Sequence, residues 1–336
     1  MIHFFNSSRH AQTDLAIDLG TANTRVIRRG EGVIFDEPSL CCFSGTASRA
    51  TCVAAGNEVG AMVGRMHAGM EVRRPLARGV LQDIRSASAL LEHALKSVGG
   101  KRGFRKPRAL IGIPADATKA EAGALRTAAN DAGIGEVKLI SEPFAAAMGT
   151  EMPLGSARSS MIIECGAGTT EIAVYSLNGL CKTRSVRQGG LALDAGLADF
   201  LHAKYHFLIG GQTAEQLKRE LVLYFDSQSI ANDEIVVKGL DLQKGGPAAL
   251  ALSHSELLPV FEKHVAPLVD AAMTVLGEIS PDLAADLVAD AIVMTGGSAC
   301  VGMFAHELSQ KSGIAVAVAD EEALCVSKGL ERMLSD

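Results

Sequence analysis

The 336-residue sequence has no tryptophan and only 4% aromatic residues, and nothing in it approaches the roughly 18 uninterrupted apolar residues that span a bilayer. The best stretch, Met161 to Leu177, is broken by Glu164 and Glu171, so no integral membrane segment is expected. At the amino terminus Ile2, Phe4 and Phe5 stand without a basic region before them, which differs from a secretory signal. The seven cysteines are odd in number and form no CxxC pair. That favours reduced thiols over a disulfide framework or a zinc site. GxxxxGK[ST], a GxGxxG after a strand, HExxH and GxSxG are all missing, which removes the common phosphate-loop, metalloprotease and serine-hydrolase readings. A net charge of -6 gives no global attraction to nucleic acid.

What is present is a globular core. Apolar residues make up 48% of the chain against 21% charged, and the length is about twice that of a usual domain, so two domains sharing an interface are expected. Short β-rich runs alternate with longer helical ones, the mark of an α/β architecture. Residues 15–19, 108–113, 137–140, 161–165, 172–175, 292–294 and 314–318 read as buried or half-buried strands. Ile84 to Val98 follows helical spacing up to Gly99-Gly100, and Thr118 with Glu121 forms a capping box ahead of a small-residue helix closed by Gly133. A longer helix is expected over 255–278. No low-complexity linker divides the chain, and the boundary between halves is expected near 155–160.

One internal repeat carries chemistry. Asp18-Leu19-Gly20-Thr21-Ala22-Asn23-Thr24 and Glu164-Cys165-Gly166-Ala167-Gly168-Thr169-Thr170 each place an acid at the end of an apolar strand, then glycine, then hydroxyl residues, then another β-rich run. Glycine and threonine in such a turn expose backbone N–H groups and hydroxyls that suit phosphate oxygens. One such hairpin is more often just a turn. Two with the same grammar predict a pair facing each other across one polyphosphate, with Asp18 and Glu164 holding Mg2+ through water.

These residues, with Asp36-Glu37-Pro38-Ser39, Ser141-Glu142-Pro143-Phe144, Arg187-Gln188-Gly189-Gly190 and Met294-Thr295-Gly296-Gly297-Ser298, resemble the actin, heat-shock chaperone and sugar kinase ATPase superfamily, and within it the MreB bacterial actins. The resemblance covers nearly the whole chain in motif order. It implies an α/β, actin-like two-lobed fold built from duplicated ribonuclease H-like domains, each with a small inserted subdomain. One large subdomain would comprise 1–42, 75–154 and 322–336 with 43–74 inserted, and the other 155–190 and 254–321 with 191–253 inserted. It further implies ATP or ADP with Mg2+ in a cleft between the lobes. Glu142 would position the attacking water, assisted by Thr169. Gly20, Thr21, Ala22 and Asn23 would wrap the phosphates from one side, and Gly166, Ala167, Gly168 and Thr169 from the other. Glu215 and Lys218 would reach the adenosine, with Gly296 and Gly297 under the base.

The sequence departs from the family pattern at Glu164, at Ala167 and at Ser141, where the family usually has aspartate, glycine and glutamate. A carboxylate displaced by about 1 Å can cost on the order of 100-fold in rate, so slow hydrolysis is expected. A methyl group at Ala167 would be strained by roughly 1 kcal/mol or more if that position needs positive φ or a close phosphate approach. The loop Lys101-Arg102-Gly103-Phe104-Arg105-Lys106 has a solvated-loop reading. It also stands where the family carries a membrane-inserting loop, so Phe104 with Lys101, Arg102, Arg105 and Lys106 forms a candidate anchor, with Phe4 and Phe5 as a weaker second. The expected function is a cytoplasmic ATP-dependent filament of head-to-tail protofilaments, peripheral at the inner face of the plasma membrane. Its partners would be further copies of itself, inner-membrane lipids and membrane-bound cell-wall or shape proteins, with no nucleic acid. Two alternatives remain open: a slow-hydrolysing scaffold for another process, and a monomeric sugar-kinase or chaperone type of ATPase. The absence of a peptide-binding domain before Asp336 argues against the chaperone.

Overall fold

A computed structural model of the chain describes residues 13–45, 50–99, 106–227 and 234–335. Leu15–Leu19 and Ser160–Cys165 are each almost wholly buried. Strands covered on both faces have this near-continuous apolar character. Each is the middle strand of a five-stranded sheet. Leu15–Leu19 pairs antiparallel with Asn23–Arg28, which pairs with Gly32–Pro38, and on its other side runs parallel to Arg108–Ile113 and then Glu136–Ser141. Ser160–Cys165 repeats the plan with Thr170–Ser176 and Gly179–Val186 on one side and Ile292–Thr295 and Val316–Val318 on the other. The short internal repeat in the sequence is therefore the visible part of a duplicated sheet. The expected strand over 314–318 begins only at Val316, because Gly313 ends the preceding helix in the left-handed conformation.

Two smaller three-stranded sheets are built from Thr51–Ala55, Cys41–Ser44 and Met70–Arg73, and from Phe207–Leu208, Glu234–Asp241 and Gly246–Ser253. Helix starts follow local chemistry. Thr118 and Glu121 close a reciprocal capping box on Lys119–Asp131. Ser253 and Glu256 do the same for the 25-residue helix His254–Glu278.

Helices Glu142–Gly149 and Cys325–Ser335 join the two sheets. Their alanines and leucines share one buried cluster with Ala16, Ile27, Leu110 and Ile140 of the first sheet and Ile162, Ala173 and Tyr175 of the second. The helices touch backbone to backbone: a Cβ on Gly329 would lie 1.7 Å from the Ala145 carbonyl oxygen, and one on Gly149 would lie 1.9 Å from that of Cys325. Only glycine fits at either place. Alanine is the better helix former by about 1 kcal/mol, so any loss in Gly329→Ala reports the crossing itself. Overpacking of this kind costs about 1–3 kcal/mol. The variant should melt several degrees below the parent in a thermal scan, and an unchanged melting temperature would show that the crossing is not tight.

Candidate functional site

The two hairpins turn in the same way. The Gly20 N–H donates to the Asn23 carbonyl at 3.0 Å, and the Gly166 N–H donates to that of Thr169 at 2.8 Å. Each turn is braced from behind. Ser39 Oγ donates to the Gly20 carbonyl at 2.6 Å, and the Ser39 N–H to that of Ala22 at 2.7 Å. In the second turn the Gly166 carbonyl accepts from Ser298 Oγ at 3.0 Å and from the Gly190 N–H at 3.1 Å, while that of Ala167 accepts from the Leu191 N–H at 2.9 Å. With carbonyls held from behind, the N–H groups of Thr21, Ala22, Ala167 and Gly168 keep no backbone acceptor among the described residues. That is the cradle a polyphosphate requires. The turns also meet, since a Cβ on Gly168 would lie 2.5 Å from Thr21 Oγ1.

Around them opens a cleft of about 910 Å3. It gathers every expected phosphate and adenosine residue: the 20–23 and 166–169 turns, Glu215 and Lys218 on helix Gly211–Ser227, and Gly296 and Gly297 after strand Ile292–Thr295. Asp18, Glu142 and Glu164 line it as well. Gly296 has φ +85°, and a Cβ there would lie 2.4 Å from the Cys165 carbonyl oxygen, so this corner admits only glycine. Ala167, by contrast, is not among the residues with positive φ. Strain from a left-handed backbone at that departure is therefore absent. Lys218 is paired with buried Asp194 at 2.9 Å, and Glu215 with Arg219 at 2.7 Å. Across the cleft mouth Gln212 Nε2 donates to the Gly60 carbonyl at 3.0 Å.

At the inner end acids crowd together. Glu142, Glu164 and Glu171 each offer a carboxylate oxygen within 4.8 Å of the others. Burial, then the neighbouring acids Glu171, Glu164 and Asp18, hold the Glu142 carboxyl well above the usual range. Glu164 is raised in the same way, by burial and then by Glu171 and Asp18. Burial also raises Asp18, opposed by the guanidinium of Arg25 at 3.6 Å and by the Ser327 hydroxyl at 2.9 Å. Glu171 is pushed up to about 7, again chiefly by burial. Its Oε1 accepts from the Ala115 N–H at 2.8 Å and from Ser185 Oγ at 2.9 Å, while the buried Oε2 has no partner. Hard oxygen ligands with an orphaned carboxylate oxygen among them fit a hydrated Mg2+.

Glu171 was not among the expected metal-side residues. The signal was available: an antiparallel hairpin turning at 166–169 sets Glu171 directly opposite Glu164, and like charges so placed destabilise a sheet unless something else holds them. Phe4, Phe5, Lys101, Arg102, Phe104 and Arg105 of the expected membrane anchors lie outside the described residues, and Lys106 is exposed.

A sequence model of the MreB/Mbl protein family matches residues 12–336. The chain belongs to the MreB/Mbl family. The cell shape-determining protein MreB of Escherichia coli strain K12 is 36% identical over 319 residues, covering 94% of this chain and 91% of that protein. The cell shape-determining protein Mbl of Bacillus subtilis strain 168 is 32% identical over 323 residues, 96% of each. Among solved structures, MreB5 of Spiroplasma citri bound to ADP superposes with a TM-score of 0.86 at 25% identity, covering 95% of both chains. The MamK double helical filament matches with a TM-score of 0.76 at 20% identity, over 96% of this chain and 99% of that one. The actin-like fold of this MreB-family chain is thus shared with both.

The crowded acids set a pH dependence. Folded Glu171 keeps its proton to about 7, whereas an unfolded glutamate releases it near about 4.3. Between those values the folded chain binds more protons, so its stability falls as pH rises. Without metal or nucleotide, the melting temperature of this MreB-family protein should decline across that window. Glu171→Gln should flatten the decline, and identical slopes for the two proteins would contradict the placement of Glu171.

Proposed function

We propose that the chain binds ATP and ADP with Mg2+ in its cleft and assembles into head-to-tail filaments that organise cell shape. The observation that carries this reading is the pair of matching turns, whose free amides face one cleft with a cluster of carboxylates beside them. Relatives named cell shape-determining proteins, and a neighbour captured as a filament, support self-association. Neighbours bound to ADP and AMPPNP support the choice of ligand.

In this reading Gly20 to Asn23 and Gly166 to Thr169 hold the phosphates, and Glu215, Lys218, Gly296 and Gly297 hold the adenosine. Asp18 and Glu164, joined by Glu171, hold hydrated Mg2+, whose positive charge offsets the phosphate and carboxylate charge. Glu142, whose carboxyl is held well above its usual range by burial and neighbouring acids, would accept a proton from the attacking water, with Thr169 assisting. The expected result is slow, nucleotide-coupled hydrolysis. Residues 43–74 and 191–253 are proposed as the inserted subdomains, supported by the two three-stranded sheets that fall in or at the edge of those ranges. The filament would be cytoplasmic and peripheral at the inner membrane. It would lie against lipids through the 101–106 loop and the amino terminus, and beside cell-wall or shape proteins.

Micromolar protein with Mg-ATP should pellet and show filaments by electron microscopy. Persistent monomers over a range of salt, lipid and protein concentration would defeat the filament reading, and phosphorylation of a sugar by those monomers would replace it with a kinase. Loss of a general base costs on the order of 100-fold or more, so Glu142→Gln should lower phosphate release by about that factor while AMPPNP still binds. Unchanged turnover would remove Glu142 from its role.

A further inference from the structure

Four cationic side chains line the cleft: Arg25, Arg74, Lys218 and Arg219. Three are already neutralised. Arg25 pairs with Asp36 at 2.9 Å and Asp18 at 3.6 Å, Lys218 with Asp194 at 2.9 Å, and Arg219 with Glu215 at 2.7 Å. Arg74 takes part in no ion pair among the described residues. Its neighbour Arg73 turns to other partners, Glu71 at 2.7 Å and Asp83 at 3.7 Å.

Among the described residues the one hydrogen bond of the Arg74 guanidinium runs from Nη1 to the Thr21 carbonyl, at 3.3 Å. Most of its five N–H donors are therefore left for another acceptor. Desolvation by the surrounding cleft lowers its pKa, and the negative fields of Glu215 and Asp194, from the other side of the cleft, oppose that shift. Arg74 is exposed, so its guanidinium, without an ion pair among the described residues, is open to an anion that enters the cleft. The backbone holds the residue in place, because Pro75 restricts Arg74 to extended conformations and the tight hairpin Leu76–Leu81 follows at once. The tether to Thr21 brings the guanidinium to the point where Gly168 of the second turn packs on the first.

We propose that Arg74 is a phosphate-binding residue whose guanidinium fork takes oxygens of the nucleotide's polyphosphate, so that the cleft distinguishes ADP and ATP from the bare nucleoside. A planar fork suits phosphate as a point charge does not. The proposal rests on the nucleotide reading above and adds a residue to it. Neither the repeat nor the family motifs single out this arginine, which stands outside both turns.

Titration calorimetry with AMPPNP, ADP and adenosine tests it. Arg74→Gln should weaken AMPPNP and ADP by about tenfold or more and leave adenosine binding unchanged, with Arg74→Lys recovering part of the loss. AMPPNP and ADP affinities equal to those of the parent would overturn the assignment. So would an equal loss for adenosine, which would make Arg74 a support of the cleft wall and not a phosphate contact. Failure of the unmodified protein to bind AMPPNP at all would instead remove the nucleotide reading on which the assignment stands.

Discussion

Burial of neighbouring carboxylates is the constraint around which this molecule is arranged. Asp18, Glu142 and Glu164 come from both sheets and from the helix that lies between them, yet they line one cleft, and Glu171 stands beside Glu142 and Glu164. Each is held above its ordinary pKa, chiefly by burial. A protein keeps such a group of acids only where something compensates, and here the compensation comes from two directions. Arg25 and Ser327 hold Asp18, and the Ala115 N–H and Ser185 hold Glu171. In the proposed reading, the remaining demand for positive charge links a cation, the nucleotide and Glu142.

The scaffold gives that cluster its position through a second constraint, the helix crossing at Gly149 and Gly329. Both sheets pack on this helix pair, so the carboxylate of Glu142, at the first turn of one helix, is fixed relative to strands of both halves. Elsewhere the halves meet through polar contacts, such as Gln212 with Gly60 and Arg187 with Asp116. Contacts of that kind rearrange at less cost than a packed core. Ligand-dependent closing of the cleft is therefore expected to leave the helix crossing intact.

How much of this was legible in the sequence depended on whether the controlling interaction was local. The acid-Gly-Thr repeat marked both hairpins correctly, because strand, turn and exposed amides are all fixed by seven consecutive residues. The Thr118 capping box was equally local. Glu171 required one step more, the register of the hairpin, and was missed. Arg74, Gly149 and Gly329 were out of reach. What defines them is a residue brought near by the fold: Thr21 for Arg74, Cys325 for Gly149, and Ala145 for Gly329. The positive φ that would strain Ala167 is not there. A glycine-rich family pattern suggests a left-handed turn residue, but this turn closes through Gly166 and Thr169 without positive φ at Ala167.

In the proposed reading, the acid cluster gives up protons when Mg2+ and nucleotide enter together. Calorimetric titration of Mg-AMPPNP at about pH 7, in two buffers of different ionisation enthalpy, measures this directly. The account predicts net proton release, read as an apparent binding enthalpy that differs between the buffers, with the difference reduced in Glu171→Gln. Tight binding with the same enthalpy in both buffers would contradict it.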